Sequence, residues 1–230
     1  MTQDFAVTEL TRARRLADRA SYVRDAVHAI LDEGLLCHLA HVLPGGQPVV
    51  LPTIYGRIGD VLYVHGAGAS RMLRTAAADG RICVTVTLLD GLVVSRSAFH
   101  HSMNYRSVVV FGTPRVVDDP AEKDAALAAI VEHVVPGRTG ETRAPSAKEL
   151  AATLVLALPI DEASAKVRTG PPGEDPSDVG LPYWGGVVPL RVVADPPVPD
   201  ELVPDDAAAP AYLTAYRRPG HSSSGLSHFS

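Results

Sequence analysis

LPTIYGRIGDVLYVHGAGASRMLR, residues 51–74, carries the reading of the fold. LPTIYG and DVLYVHG are short runs rich in β-branched and aromatic residues, separated by Ile58-Gly59-Asp60, which predicts two strands of a hairpin. Gly66 and Gly68 then ease the chain into Ser70 to Ala78, a short helix closed by Gly80. The first backbone N–H groups of a helix have no partner within it, and the helix dipole favours an anion there. Ser70 adds a hydroxyl and Arg71 a guanidinium, a combination suited to a terminal phosphate. The pattern is weak by itself. Gly66-Ala67-Gly68 lacks the third glycine of a dinucleotide fingerprint and no GxxxxGK run exists, so a flexible turn before a capped helix is the plainer alternative.

Upstream, SYVRDAVHAILDEG sets Val23, Val27, Ile30 and Leu31 at helical spacing, with Ser21 as candidate N-cap and Gly34 past the end. LLCHLAHVL and QPVVLPTIYG read as strands around Pro44-Gly45-Gly46. Downstream, RICVTVTLL and GLVVSRSAF flank Asp90-Gly91, a two-residue hairpin signal, and SVVVFGTPRVV is a further strand. Asp119-Pro120-Ala121-Glu122 starts a helix reaching about Val135, and Ser146 to Glu149 is a capping box ahead of a brief one. TLVLALPI and VVPLRVV supply the last strands. Antiparallel hairpins interrupted by helices, without a repeated βαβ unit, predict a mainly β (α+β) barrel with peripheral helices. Residues 1–20 form an N-terminal arm, 21–193 the barrel, and 194–230 a tail rich in Pro, Asp, Ala and Ser that buries no core of its own. The sequence leaves open whether that tail packs along a partner subunit.

A chain of 230 residues suits one domain. Its net charge, 21 − 26 = −5, argues against nucleic acid as a partner. Hydrophobic residues make up 46 %, enough for a core, yet no run reaches the ~18 apolar residues of a membrane span. Charges scattered through Met1 to Asp32 do not resemble a secretory signal, which places the protein in the cytoplasm. Cys37 and Cys83 lie in apolar segments and read as buried free thiols.

The segments LPTIYGRIGDVLYVHG, ICVTVTLLDGLVVSRSAFHHSMNYRSVVVFGTPRVV, DPAEK and SAKVRTGPP, in that order, resemble the pyridoxamine 5′-phosphate oxidase-related family, in particular its nitroimidazole-resistance-like branch. The likeness runs from about Thr8 to Val193, and MNYRSVVVFG is its most specific part. It implies an antiparallel, six-stranded split β-barrel that binds FMN, works as a homodimer with flavin between subunits, and performs redox chemistry on a small molecule. Carried over residue by residue, Pro52, Thr53 and Ile54 flank the flavin ring through their backbone, and His65, Gly66, Ser70 and Arg71 surround the phosphate. Thr85 and Ser107 are strand positions facing the same groove. The branch commonly carries a lysine at the phosphate-binding helix; Arg71 or Arg74 stands nearest here.

HHSMNYRS, residues 100–107, concentrates polar groups between apolar strands. One reading is a turn or bulge whose Ser102 and Asn104 satisfy backbone groups; the other places Tyr105, Arg106 and one histidine at the mouth of the flavin site. Lys166 and Arg168 are candidates for a phosphate or anionic substrate, and Trp184 packs in the core or covers a partner's flavin. His38 and His41 would make a metal pair only on a helix, and their context is strand, so no metal site is assigned. A single strand histidine as an axial haem ligand keeps haem as a possible second cofactor. Arg12, Arg14, Arg15 and Arg19 read as a solvated surface because Glu9 and Asp18 interleave. No GxSxG elbow exists and no catalytic residue is singled out.

The resemblance implies an FMN-dependent oxidoreductase of nitroreductase type, acting on a small electron-poor or nitroaromatic substrate. Vitamin B6 oxidation is disfavoured because no set of basic residues for a second phosphate stands out. A non-catalytic flavin or haem protein, for binding, storage or sensing, is the alternative.

Overall fold

The computed structural model of the chain describes residues 4–78 and 80–218; the start of the arm, Asp79 and the tail from Pro219 onward lie outside the described residues. Strands β1 (Ala20–Ser21), β2 (Cys37–Val42), β3 (Pro48–Thr53), β6 (Ile82–Val94), β7 (Ser102–Gly112), β10 (Glu162–Arg168) and β11 (Gly186–Pro189) form one sheet. Its order is β1-β10-β7-β6-β2-β3, with β11 added to β6. Strands β4 (Tyr55–Ile58), β5 (Val61–Ala67), β8 (Arg115–Val116) and β9 (Thr153–Pro159) form the other, in the order β4-β5-β9-β8. Every pairing is antiparallel. This is the α+β split barrel; the described residues form eleven strands rather than six, and eight remain when the short β1, β8 and β11 are set aside.

The two sheets share a core in which Leu39, Val84, Val108 and Val110 of the large sheet meet Leu62, Leu156 and Leu158 of the small one. Helix α1 (Arg24–Glu33) buries Val27, Ile30 and Leu31 in it, and α2 (Arg71–Ala78) buries Leu73 and Ala76. Helix α3 (Pro120–Val134) lies on the small sheet's outer side over Tyr63, Val155 and Ala157. Gly56 makes this approach possible: a Cβ there would stand 2.7 Å from the backbone nitrogen of Ile130.

Local signals of helix ends hold. The Asp119 carboxylate accepts from Glu122 N at 2.9 Å with Pro120 beginning α3, and Ser146 and Glu149 form the capping box of α4 (Ala147–Ala152). Helix α1 begins two residues later than expected. Val23 is its N-cap, because Ser21 is drawn into β1 against β10.

Three strand expectations need correction. QPVVLPTIYG is not one strand: it breaks at Ile54, so β3 joins the large sheet and β4 the small one. The cause is Tyr55, buried in the core, whose hydroxyl donates to the carbonyl of Leu31. Asp90-Gly91 is not a hairpin. β6 runs on through a bulge there, held because Arg106 grips the Asp90 carboxylate and β11 packs over Gly91, where a Cβ would come 3.0 Å from Val187 Cγ1. The turn lies instead at residues 95–101, so most of HHSMNYRS is strand β7. Strand β10 was unforeseen because its buried apolar positions are the small Ala163 and Ala165, which leave little hydrophobic periodicity to read.

Residues 194–209 of the tail are exposed, and the part from 210 to 218 docks on the barrel. Beyond the single turn α5 (Ala211–Thr214), the Tyr216 hydroxyl donates to the carbonyl of Val134 at 2.8 Å. Buried Arg218 donates to the carbonyls of Asp32, Glu33 and Gly34 at 2.7, 2.9 and 2.9 Å. No helix among the described residues is long and apolar enough to cross a membrane.

Candidate functional site

The entrance to α2 is open. Ala67, Gly68, Ala69 and Arg71 are exposed, while the inward side of Gly66 touches the core through Leu73, whose Cδ1 lies 2.9 Å from where a Cβ would be. Ser70 Oγ accepts from Leu73 N at 3.4 Å and Gly68 N donates to the carbonyl of Ala152 at 2.7 Å, so the turn is held by its ends. Among the described residues no carboxylate pairs with Arg71 or Arg74, leaving two cations and the positive end of a helix facing solvent.

Strand register collects several of the other candidates. His38 pairs with Pro52 and with Thr85, Thr87 with Ser107, and Ser107 with Lys166. Paired residues share a face, and alternation puts all of these on the side of the large sheet turned away from the core. Around this hydroxyl-bearing belt the face is apolar and open: Val50 is 58 % exposed, Val42 51 % and Met103 52 %. Pro52 and Thr53 end β3 at its edge, and Ile54, 41 % exposed, belongs to neither sheet. The bend therefore presents backbone outside both ladders beside an open sheet face. At the far side of the same face, a groove of about 320 Å³ is lined by Val42, Val50, Cys83, Phe111 and the arm's Leu10.

Other candidates lie elsewhere. Arg106 points to the opposite side from Ser107, and its donors are taken: Nε and Nη2 go to Asp90 at 2.9 and 2.8 Å, Nη2 also to Glu33 at 2.8 Å, and Nη1 to Glu33. Those carboxylates raise its pKa and balance its charge within the subunit, so it is a strut between α1 and the β6 bulge. Asn104 is buried, donating to the carbonyl of Gly170 at 3.1 Å and accepting from Arg168. Trp184 is 64 % exposed and is not a core residue. His38 and His41 project to opposite faces of β2, as a strand requires.

His65 shares its side of β5 with Tyr63, under α3, rather than with the open sheet face. Its Nδ1 is buried without a partner, and burial lowers its pKa. His41 is 4 % exposed and both its ring nitrogens are unpartnered. Burial pushes the Cys37 thiol up to about 12, which makes it inert as a nucleophile. Sequence reasoning missed Glu33 and Asp90 as the owners of Arg106, since neither neighbours it along the chain. It also missed Thr87, which the alternation from Thr85 would have shown.

These elements define the class. The chain belongs to the pyridoxamine 5′-phosphate oxidase family, whose pattern matches residues 23–167, from just before α1 into β10. Among solved structures it is similar to the flavocytochrome Anf3 from Azotobacter vinelandii, 39 % identical, with 92 % of this chain and 98 % of that chain covered at a TM-score of 0.85. It is also 39 % identical to an FAD and heme binding protein from Mycobacterium smegmatis, covering 85 % of this chain and 97 % of that one at a TM-score of 0.80. A putative 5-nitroimidazole antibiotic resistance protein from Bacteroides thetaiotaomicron, 22 % identical over 64 % of this chain and 86 % of its own, shares the fold at a TM-score of 0.55. No curated protein matches the chain.

Proposed function

We propose that this protein is a cytoplasmic, flavin-dependent oxidoreductase that works as a homodimer on a small electron-poor substrate. The observation that carries the reading is the 39 % identity, over nearly the whole of both chains, to a protein named as a flavocytochrome. The residues present fit a flavin. An exposed helix start with a hydroxyl and an unpaired guanidinium suits its phosphate, and the bend at Ile54 beside an open sheet face suits a planar ring. In this arrangement Ser70, Arg71 and the turn from Gly66 to Ala69 hold the phosphate, Pro52 to Ile54 flank the ring, and Thr85, Thr87 and Ser107 offer hydroxyls from the sheet.

A bound flavin supplies the electron exchange; the protein orients it and limits solvent access. FMN is the form whose one terminal phosphate matches the helix start at Ser70 and Arg71. Support for the homodimer comes from exposed Val42, Val50, Leu92, Met103 and Val188 along the large sheet's outer face, where a second copy would exclude water from the ring. Free Cys37 and Cys83 accord with a reducing compartment.

A second reading adds haem, as in the relative named for FAD and heme. It is favoured by the buried, unpartnered nitrogens of His65 and His41, the donor type that haem iron takes.

The visible spectrum of the purified protein tests both. A yellow chromophore that NADH or NADPH bleaches anaerobically supports the oxidoreductase, and one that neither bleaches supports a carrier. A red protein whose Soret band is lost in His65→Ala or His41→Ala supports haem. A colourless protein that takes up neither cofactor on reconstitution sinks both readings.

A further inference from the structure

Acidic residues outnumber lysines and arginines in this chain, 26 to 21, and the arginines on the barrel are largely met by carboxylates. Arg57 pairs with Asp32, Arg81 with Glu162, Arg115 with Glu122, and Arg106 with Glu33 and Asp90. Apart from Arg71 and Arg74 at the α2 entrance, one further group breaks this pattern. Arg168, at the end of β10, is 9 % exposed, and its guanidinium donates only to neutral acceptors: Asn104 Oδ1 and the carbonyls of Gly170 and Pro171, at 3.2 and 3.0 Å for the last two. Burial lowers its pKa, the charge of nearby Arg19 lowers it further, and Tyr105 acts in the opposite direction.

Lys166, two residues earlier on β10, stands opposite Ala20 in the register, beside Arg19, and its Nζ donates to the carbonyl of Arg15 at 3.4 Å. Among the described residues no carboxylate pairs with Arg19, Lys166 or Arg168. Asp18 is exposed and makes no ion pair there. Arg218 is the instructive contrast. It too is buried against carbonyls, but those form the C-terminal end of α1, where the helix dipole is negative. The turn carbonyls beside Arg168 provide no such field. A buried cation facing a second cation is unfavourable unless an anion completes the group.

The backbone supports a built site. Leu16 is the one non-glycine residue described with positive φ, at 54°, and its turn swings Ala17–Arg19 onto β10. Such strain persists only where surrounding contacts hold it.

We propose that Arg19, Lys166 and Arg168 form a binding site for the phosphate or pyrophosphate of a small-molecule ligand, distinct from the entrance to α2. Two guanidinium forks and an ammonium match a multiply charged oxyanion better than a single carboxylate. Ser107, paired with Lys166, directs the rest of the ligand onto the open sheet face. Arg19 and Arg168 both lie outside the 23–167 stretch that the family pattern matches. The phosphate has two possible sources: the pyrophosphate of a dinucleotide flavin, or a separate phosphorylated ligand.

Isothermal titration of the protein with inorganic pyrophosphate tests the site. Arg168 also holds the Gly170 turn, so the variants are Arg19→Gln and Lys166→Gln, with Arg71→Gln reporting on the α2 entrance. Each of the first two is expected to weaken pyrophosphate about tenfold, the loss of one charge-assisted contact, and to do so equally in the Arg71→Gln background, where the α2 entrance no longer contributes. Absence of binding, or a loss confined to Arg71→Gln, overturns the proposal. Parallel titrations with FAD and FMN identify the source. Weakening of FAD alone in Arg19→Gln assigns the site to the flavin's own pyrophosphate, whereas weaker pyrophosphate with both flavins unchanged assigns it to a second ligand. Failure of both flavins to bind sinks the flavoprotein reading while the pyrophosphate result still decides this one.

Discussion

Arg106 of β7 donates from Nη2 to Oε1 of Glu33 at the end of α1, 2.8 Å away, although 72 residues of chain lie between them. Glu33 is 5 % exposed and Asp90 completes the group, so α1, the β6 bulge and β7 are joined by one guanidinium.

Arg106→Ala leaves a buried carboxylate without this cation. Breaking a buried pair from one side costs about 3–5 kcal/mol, and the part-exposed guanidinium brings the expectation to roughly 2–3 kcal/mol. Urea unfolding measures it. Stability within 0.5 kcal/mol of the parent, as is usual at an exposed site, would show that the strut is not formed.

Gly56→Ala places a Cβ 2.7 Å from Ile130 N and 2.8 Å from the carbonyl carbon of Ala129, both of them backbone atoms. Helix α3 must then lift from β4, and overpacking of this kind costs about 1–3 kcal/mol. Thermal unfolding is expected at a lower temperature, and an unchanged midpoint would mean that the contact between helix and sheet yields freely.

Arg218→Met removes the donors that close α1 at Asp32, Glu33 and Gly34 while keeping much of the side-chain bulk. Tyr55 and His133 still donate to Gly34, so the expected loss is modest, about 1–3 kcal/mol. Hydrogen exchange should quicken at the end of α1 and in residues 210–218. Exchange unaltered in both segments contradicts docking of the tail.

His133 donates from Nε2 to the carbonyl of Gly34 at 2.6 Å, and its ring lies 4.4 Å from that of Tyr55. Burial, then the neighbouring Arg218 charge, lowers its pKa below 6.5; Asp32 and Arg57 also face it, with opposing effects. Because the folded state holds the proton less tightly, the unfolded chain binds more protons as pH falls through 6.5. Stability is therefore complete above that value and declines toward the folded-state pKa. His28 and His65 shift in the same direction. The urea midpoint should be lower at about pH 5.5 than at about pH 7.5, with a smaller difference in His133→Gln. An equal pH dependence in that variant would remove His133 from the account.

Helix ends were legible because a cap needs only residues a few positions apart: Asp119 with Glu122, and Ser146 with Glu149. Most strands were legible for the same reason, since the alternation of β2 or β6 lies in consecutive residues. The amino-acid sequence by itself thus determined the barrel class, the open helix start at Ser70 and Arg71, and the acidic, single-domain character of the chain. Tertiary structure alone decided that the strand breaks at Ile54, where Tyr55 turns toward Leu31, and that Asp90 makes a bulge rather than a hairpin, held by Arg106. It alone turned Arg106 into a strut, and brought Arg19 from the arm to Lys166 and Arg168. The physical reason is common to all of these: a buried hydroxyl or charge takes its partner from whichever segment the fold carries to it, and local propensity holds no record of that distant neighbour.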